Sequence, residues 1–124
     1  MTPFGALLSL LGLSQRRAAV FLGISEKTVE HFIAGRRRRN GVDVEVTTPD
    51  GVIDDLVAAW HAIEVHALAI VAQWNVDRTD SVDVPPLAIT SARVEAWSAL
   101  DAQGIAAGLV IAKLPADVEA RIVC

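Results

Sequence analysis

Apolar residues at Ile53, Leu56, Trp60, Ile63, Ala67, Ile70 and Trp74 return at spacings of 3, 4, 3, 4, 3 and 4. That rhythm follows one face of an α-helix for about three heptads. A single helix of about six turns must therefore find cover within a chain of 124 residues. Its flank is apolar as well, through Val57, Val65, Leu68 and Val71. A helix that is apolar on more than one side needs more cover than one small neighbour supplies. A second copy of the chain would provide it, which makes Leu56, Trp60, Ile63, Ala67, Ile70 and Trp74 the expected dimer interface. The competing expectation is that the stripe packs on the chain's own C-terminal segment.

The same stretch raises the question of a membrane. His61, Glu64 and His66 lie within it, and ionisable groups are costly at the centre of a bilayer, so a spanning helix is not expected. The N-terminal segment MTPFGALLSLLGLSQRR has its arginines after its apolar part, the reverse of a secretory signal. With 52% hydrophobic residues and a mean hydropathy of +0.41, the chain is globular and can bury one core or two small subdomains. Its one cysteine, Cys124, excludes an intrachain disulfide and a thiolate metal cluster. A reducing, cytoplasmic location is the expectation.

Charge is divided unevenly along the chain. Residues 1–40 hold seven basic and two acidic side chains, a net charge of +5, whereas residues 41–124 hold four basic and thirteen acidic ones, a net charge of −9. A basic head on an acidic body can orient the approach of an anionic partner. Four consecutive arginines, Arg36–Arg39, dominate the head.

Serines and glycines punctuate that head. Pro3 suits a first helical turn, and a short apolar helix follows it to near Gly12. Ser14 can cap a second helix that stops at Gly23, and Ser25 can cap a third that stops at Gly35. In the third, Val29, Phe32 and Ile33 share one face, leaving Glu26, Lys27, Glu30 and His31 outward. Two short capped helices joined by a tight turn make a helix-turn-helix.

The stretch Leu11 to Arg38, LGLSQRRAAVFLGISEKTVEHFIAGRRR, resembles the lambda-repressor-like, or xenobiotic-response-element, family of DNA-binding domains. The resemblance rests on Ser14-Gln15, Ala19, the LGIS turn from Leu22 to Ser25, Thr28-Val29, and Gly35 followed by basic residues. It covers about the first third of the chain. Ile33 departs from the pattern, because the family often has a glutamate there. The resemblance implies that the third helix enters the major groove of duplex DNA, with base contacts from Glu26, Lys27, Thr28 and His31. Phosphate contacts would come from Gln15, Arg16, Arg17 and Arg36, Arg37, Arg38 and Arg39, with the arginines placed where the chain leaves the groove.

The insertion RRNGVDVEVTTPDG is a further departure from that family, which usually proceeds almost directly to a fourth helix. Val42, Val44 and Val46 alternate with polar residues between two turns, which reads as a short strand. It would be one arm of a wing or, the preferred reading, a strand joining a sheet formed later in the chain. Further on, DSVDVPPLAIT reads as an edge strand broken at Pro85-Pro86. SARVEAWSALDAQG reads as a helix capped at Ser91 and ended at Gly104, IAAGLVIAKLP as a buried strand, and Pro115 as the start of a terminal helix or turn. The expected fold is mainly α with a small β component. It comprises a helix-turn-helix head with a short strand or wing over residues 1–48, then an acidic region over 49–124 in which a long helix leads to a small α+β dimerisation cap. In size and layout this is similar to anti-CRISPR-associated repressors and some antitoxins.

Catalytic signals are lacking. His61 and His66 are five residues apart, a spacing that points them to different helix faces and does not suit a shared metal. No phosphate-binding glycine loop or nucleophile elbow is present. The sequence reads as a non-enzymatic, cofactor-free and metal-free repressor that binds an inverted repeat in double-stranded DNA as a homodimer and regulates its own gene. The alternative is an antitoxin-like module whose acidic region binds a partner protein.

Overall fold

A computed structural model describes residues 2–87 and 100–124. The protein is mainly helical with a small β component, in the order α1 (Pro3–Leu10), α2 (Gln15–Leu22), α3 (Glu26–Ala34), β1 (Arg36–Arg39), β2 (Val42–Glu45), α4 (Asp50–Asp77), β3 (Ser81–Val84), α5 (Ala102–Lys113) and β4 (Glu119–Ile122). It divides into two compact units. Among the described residues, one comprises 2–58 with Leu100, the other 59–87 and 101–124. The division falls inside α4, beyond the expected one at residue 48, because the first turns of that helix, with Leu56 buried, belong to the first unit.

In the first unit, three short helices form where the punctuation places them. Thr2 caps α1 with Pro3 in its first turn, Ser14 caps α2, and Ser25 caps α3. Gly23 and Gly35 close the latter two in the left-handed conformation, with φ of 68° and 73°, a geometry that costs glycine nothing for want of a Cβ. Phe4, Leu8, Leu11, Ala18, Phe21, Val29 and Phe32 are buried. Phe4 and Phe32 meet edge to face, their centroids 5.4 Å apart at 79°, the arrangement that aromatic quadrupoles favour.

The arginine run does not simply trail from α3. It forms β1 and pairs antiparallel with β2, in the register Arg36 to Glu45, Arg37 to Val44, Arg38 to Asp43 and Arg39 to Val42. Asn40 and Gly41, both at positive φ (52° and 78°), make the two-residue turn, whose twist matches that of the flanking strands. The preferred expectation, in which residues 42–47 join a C-terminal sheet, is thus corrected. The strand ends at Glu45, and its partner is the arginine run, because the Asn-Gly turn brings the nearest extended segment alongside first.

In the second unit, α4 continues to Asp77. Ile63 and Ala67 are fully covered by the chain and Trp74 nearly so, whereas Trp60 and Ile70 are half-buried. The Trp74 indole N–H donates to the carbonyl of Thr79 at 2.8 Å, and the Arg78 guanidinium lies over its ring at 4.8 Å. Four of the six expected dimer contacts, Leu56, Ile63, Ala67 and Trp74, are therefore committed inside a single chain. The correction follows from the opposite flank, where Val57, Val65 and Leu68 remain exposed. By length and composition alone α4 could cross a membrane, with a mean hydropathy of 1.4 over its most apolar window.

β3 and β4 pair in parallel, Ser81 with Glu119 through Val84 with Ile122, and α5 packs on both. Pro85 follows the last residue of β3, where a missing N–H breaks no ladder bond. The expected buried strand over residues 105–115 is instead α5. Ala102, Ala106, Ala107 and Val110 are buried at helical spacing, so the period of 3.6 governs and the high apolar content misleads. Gly104 does not end a helix but lies in the first turn of α5, donating its N–H to the capping carboxylate of Asp101. The expected start of that helix at Ser91 lies outside the described residues. After Pro115 a turn leads directly into β4.

Candidate functional site

The first unit brings together the N-terminal turns of α2 and α3 and the β1–β2 hairpin that follows them. The Ser14 hydroxyl accepts from the N–H of Arg17 at 3.2 Å, starting α2 with Gln15, Arg16 and Arg17 all exposed in its first turn. The turn from Gly23 to Ser25 then leads into α3, where the Ser25 hydroxyl accepts from the N–H of Thr28 at 3.1 Å. α2 thus begins with Gln15, Arg16 and Arg17 in solvent, an arrangement suited to anions, whereas α3 begins with Glu26, whose carboxylate itself complements the helix N-terminus.

On α3 the polar side chains fall into two lanes. Glu26 and Glu30, four residues apart, form one, and Lys27 and His31 form the other. Glu26, Lys27 and Glu30 are exposed and His31 is half-buried. Thr28 is half-buried too, and its hydroxyl lies 2.8 Å from that of Ser25. Thr28 is therefore engaged in the cap, which leaves Glu26, Lys27 and His31 as the members of the expected set not tied to it.

All four arginines of β1 are exposed, yet they are not equivalent. Residues directly opposed in an antiparallel pair lie on the same face, and neighbours along a strand lie on opposite faces. The register therefore puts Arg36 and Arg38 on one face with Glu45 and Asp43, and Arg37 and Arg39 on the other with Val44 and Val42. Gly35, Arg36, Asp43, Val44 and Glu45 border one shallow depression of about 250 Å³. Val42 and Val44 were read from the sequence only as strand residues. The Asn40-Gly41 turn was the signal that could have placed them beside arginines.

Elsewhere the histidines of α4 stay apart. The His66 Nε2 lies 3.0 Å from the carbonyl of Pro85, and His61 is exposed. Among the described residues no three His, Cys, Asp or Glu side chains gather as a metal site. The second unit carries an open groove of about 420 Å³ bordered by His66, Ile70, Trp74, Asp77 and Asp83.

No family model, no curated protein and no solved structure matches this chain.

Proposed function

We propose that the protein is a non-enzymatic, sequence-specific DNA-binding repressor, cytoplasmic and homodimeric, in which α2 and α3 act as a helix-turn-helix. One observation carries the reading. Two serine-capped helices, each closed by a left-handed glycine and separated by a three-residue turn, expose Glu26, Lys27 and Glu30 and lead at once into a strand made only of arginine. In this reading α3 lies in the major groove, Lys27 donates to a guanine edge, Glu26 accepts from cytosine, and His31 reaches a purine. Gln15, Arg16, Arg17 and the hairpin fix the frame through phosphates.

The dimer is supported by apolar side chains that the second unit leaves in solvent, among them Val65, Leu68, Val76, Ile111 and Ile122. Two copies on a twofold axis would read inverted half-sites about one helical turn, roughly 34 Å, or a small multiple of it apart. His61, Glu64 and His66 along α4 speak against a bilayer setting. A partner protein held by the acidic region is the second reading, favoured by Asp77 and Asp83 at the rim of the groove.

Footprinting on the gene's own upstream region tests the proposal. Protection of a symmetric pair of half-sites is the expected result. Uniform, sequence-independent protection at every salt concentration would reduce the protein to a nonspecific binder.

A further inference from the structure

The hairpin sorts its charges by face, and this sorting assigns them different work. The Arg36 and Arg38 face carries two positive and two negative side chains and is neutral, whereas the Arg37 and Arg39 face carries two positive charges and two valines, and is not compensated. Val42 is 63% and Val44 37% exposed, so among the described residues this second face stays partly open to solvent, most of all at Val42. A groove-bound strand that presented the Arg36 and Arg38 face, with Asp43 and Glu45 beside them, to a polyanion would gain no net electrostatic attraction. One that presented Arg37, Arg39, Val42 and Val44 would meet phosphates with guanidiniums and sugars with methyl groups.

We infer that the Arg37–Arg39 face is the one the hairpin lays on duplex DNA, against the sugar–phosphate backbone flanking the groove taken by α3, while the charges of Arg36 and Arg38 are offset by Glu45 and Asp43 on the same face. This rests on the DNA-binding reading above and adds to it a direction of approach. The scale fits. Arg37 and Arg39 are two strand residues apart, about 6.7 Å, close to the roughly 6.8 Å axial rise of two nucleotides along one strand. The short apolar side chains of Val44 and Val42, beside them on β2, leave room for close approach. The Asn40-Gly41 turn holds the strands in this register, so the sorting is built into the backbone and does not depend on arginine rotamers.

The test compares two variants with the full wild-type chain by fluorescence anisotropy, titrating salt on a labelled random-sequence duplex. Arg37→Gln/Arg39→Gln removes the uncompensated pair. The quadruple variant Arg36→Gln/Arg38→Gln/Asp43→Asn/Glu45→Gln removes four charges without changing the net charge. The first variant should flatten the slope of log affinity against log salt by about 1.8, the value for two lost phosphate contacts, while the quadruple variant should keep the wild-type slope. Amide signals of Val42 and Val44 in NMR spectra report that the hairpin persists in both. Equal flattening in the two variants, flattening only in the quadruple, or flattening in neither overturns the inference while leaving DNA binding intact. A wild-type chain that binds no duplex even at low salt removes the DNA-binding reading itself, and this inference with it.

Discussion

The hydroxyl of Thr2 donates to the carbonyl of Phe32 at 2.9 Å, shared with that of Ile33 at 3.1 Å, while accepting from the N–H of Gly5 at 3.2 Å. One side chain thus starts α1 and satisfies the last turn of α3, thirty residues away. The carbonyls at a helix end have no partner within the helix, and here a threonine from another helix supplies one. Because α3 is the proposed reading helix, Thr2 fixes the base on which it stands.

Thr2→Ala should destabilise the first unit by about 1–3 kcal/mol, the sum expected for a lost N-cap and an unsatisfied carbonyl. Thr2→Ser, which keeps the oxygen, should stay within about 0.5 kcal/mol of wild type. Chemical denaturation followed through the α-helical signal distinguishes them. Equal stability of the alanine and serine variants would mean that the hydroxyl contributes nothing.

Gly35 sits directly behind this contact. Its φ is +73°, and a Cβ there would stand 3.2 Å from the Thr2 methyl carbon. Gly35→Ala should cost about 1–2 kcal/mol from the left-handed backbone alone. The contact with Thr2 adds to that cost, so Gly35→Ala should be less damaging in a Thr2→Ser background. A double-mutant cycle measures the coupling. Simple additivity would show that the backbone is the whole cost.

Lys27→Ala and His31→Ala should each weaken binding to the cognate site by about 1–3 kcal/mol and relax preference at one or two base positions, with a smaller effect on random DNA. Thr28→Ala should act mainly on stability, since its hydroxyl is held by Ser25. Selection from a random duplex pool is the decisive measurement. Identical preferred sequences for wild type and both variants would move the reading surface elsewhere.

In the second unit Gln103 donates to the carbonyl of Val84 at 2.8 Å and to that of Val123 at 2.6 Å, joining the ends of β3 and β4. Gln103→Leu removes both bonds while keeping much of the volume, and should cost about 1–3 kcal/mol. Hydrogen exchange at the Val123 amide, which donates to Val84, should accelerate more than exchange within α5. Unchanged exchange there would mean that the strands hold together without the clasp.

Leu68→Glu should weaken self-association while leaving the fold intact, because this side chain is 46% exposed. Ile63→Glu should unfold the second unit, because Ile63 is fully covered and an unpaired buried carboxylate is costly. Sedimentation with a parallel circular dichroism melt checks both. Wild-type dimers unaffected by Leu68→Glu would place the interface elsewhere.

The elements that local chemistry specifies were legible in the sequence. Ser14, Gly23, Ser25 and Gly35 marked the ends of α2 and α3 to within a residue or two because a cap is a property of a few neighbouring atoms. The heptad stripe found α4, but not what covers it, since periodicity identifies an apolar face and not its partner. Arg36–Arg39 gave no sign of a strand, because arginine becomes extended there only through pairing with Val42–Glu45. The segment at 105–113 was misread because Ile, Leu and Val in a short run suit a buried strand as well as a helix, and Ala102, Ala106 and Val110 could have decided for the helix. For the candidate site, the proposed reading residues stand out in the sequence as outward positions on α3, whereas the inequality of the four arginines exists only once the register does.

Among the described residues the β1–β2 sheet has two strands, each with an edge whose N–H and C=O groups invite another extended chain. A run of like charges along such an edge discourages that encounter. If β1 of one molecule approached β1 of another, guanidiniums from both runs would be forced together, and the approach would fail in water of ordinary ionic strength. On a polyanion the same repulsion is neutralised, so two hairpins that avoid one another in solution can lie side by side on a duplex. In the proposed DNA-binding reading the four arginines make crowding of copies conditional on the template, and a chain stripped of all four would be expected to form aggregates through this edge before it lost its fold.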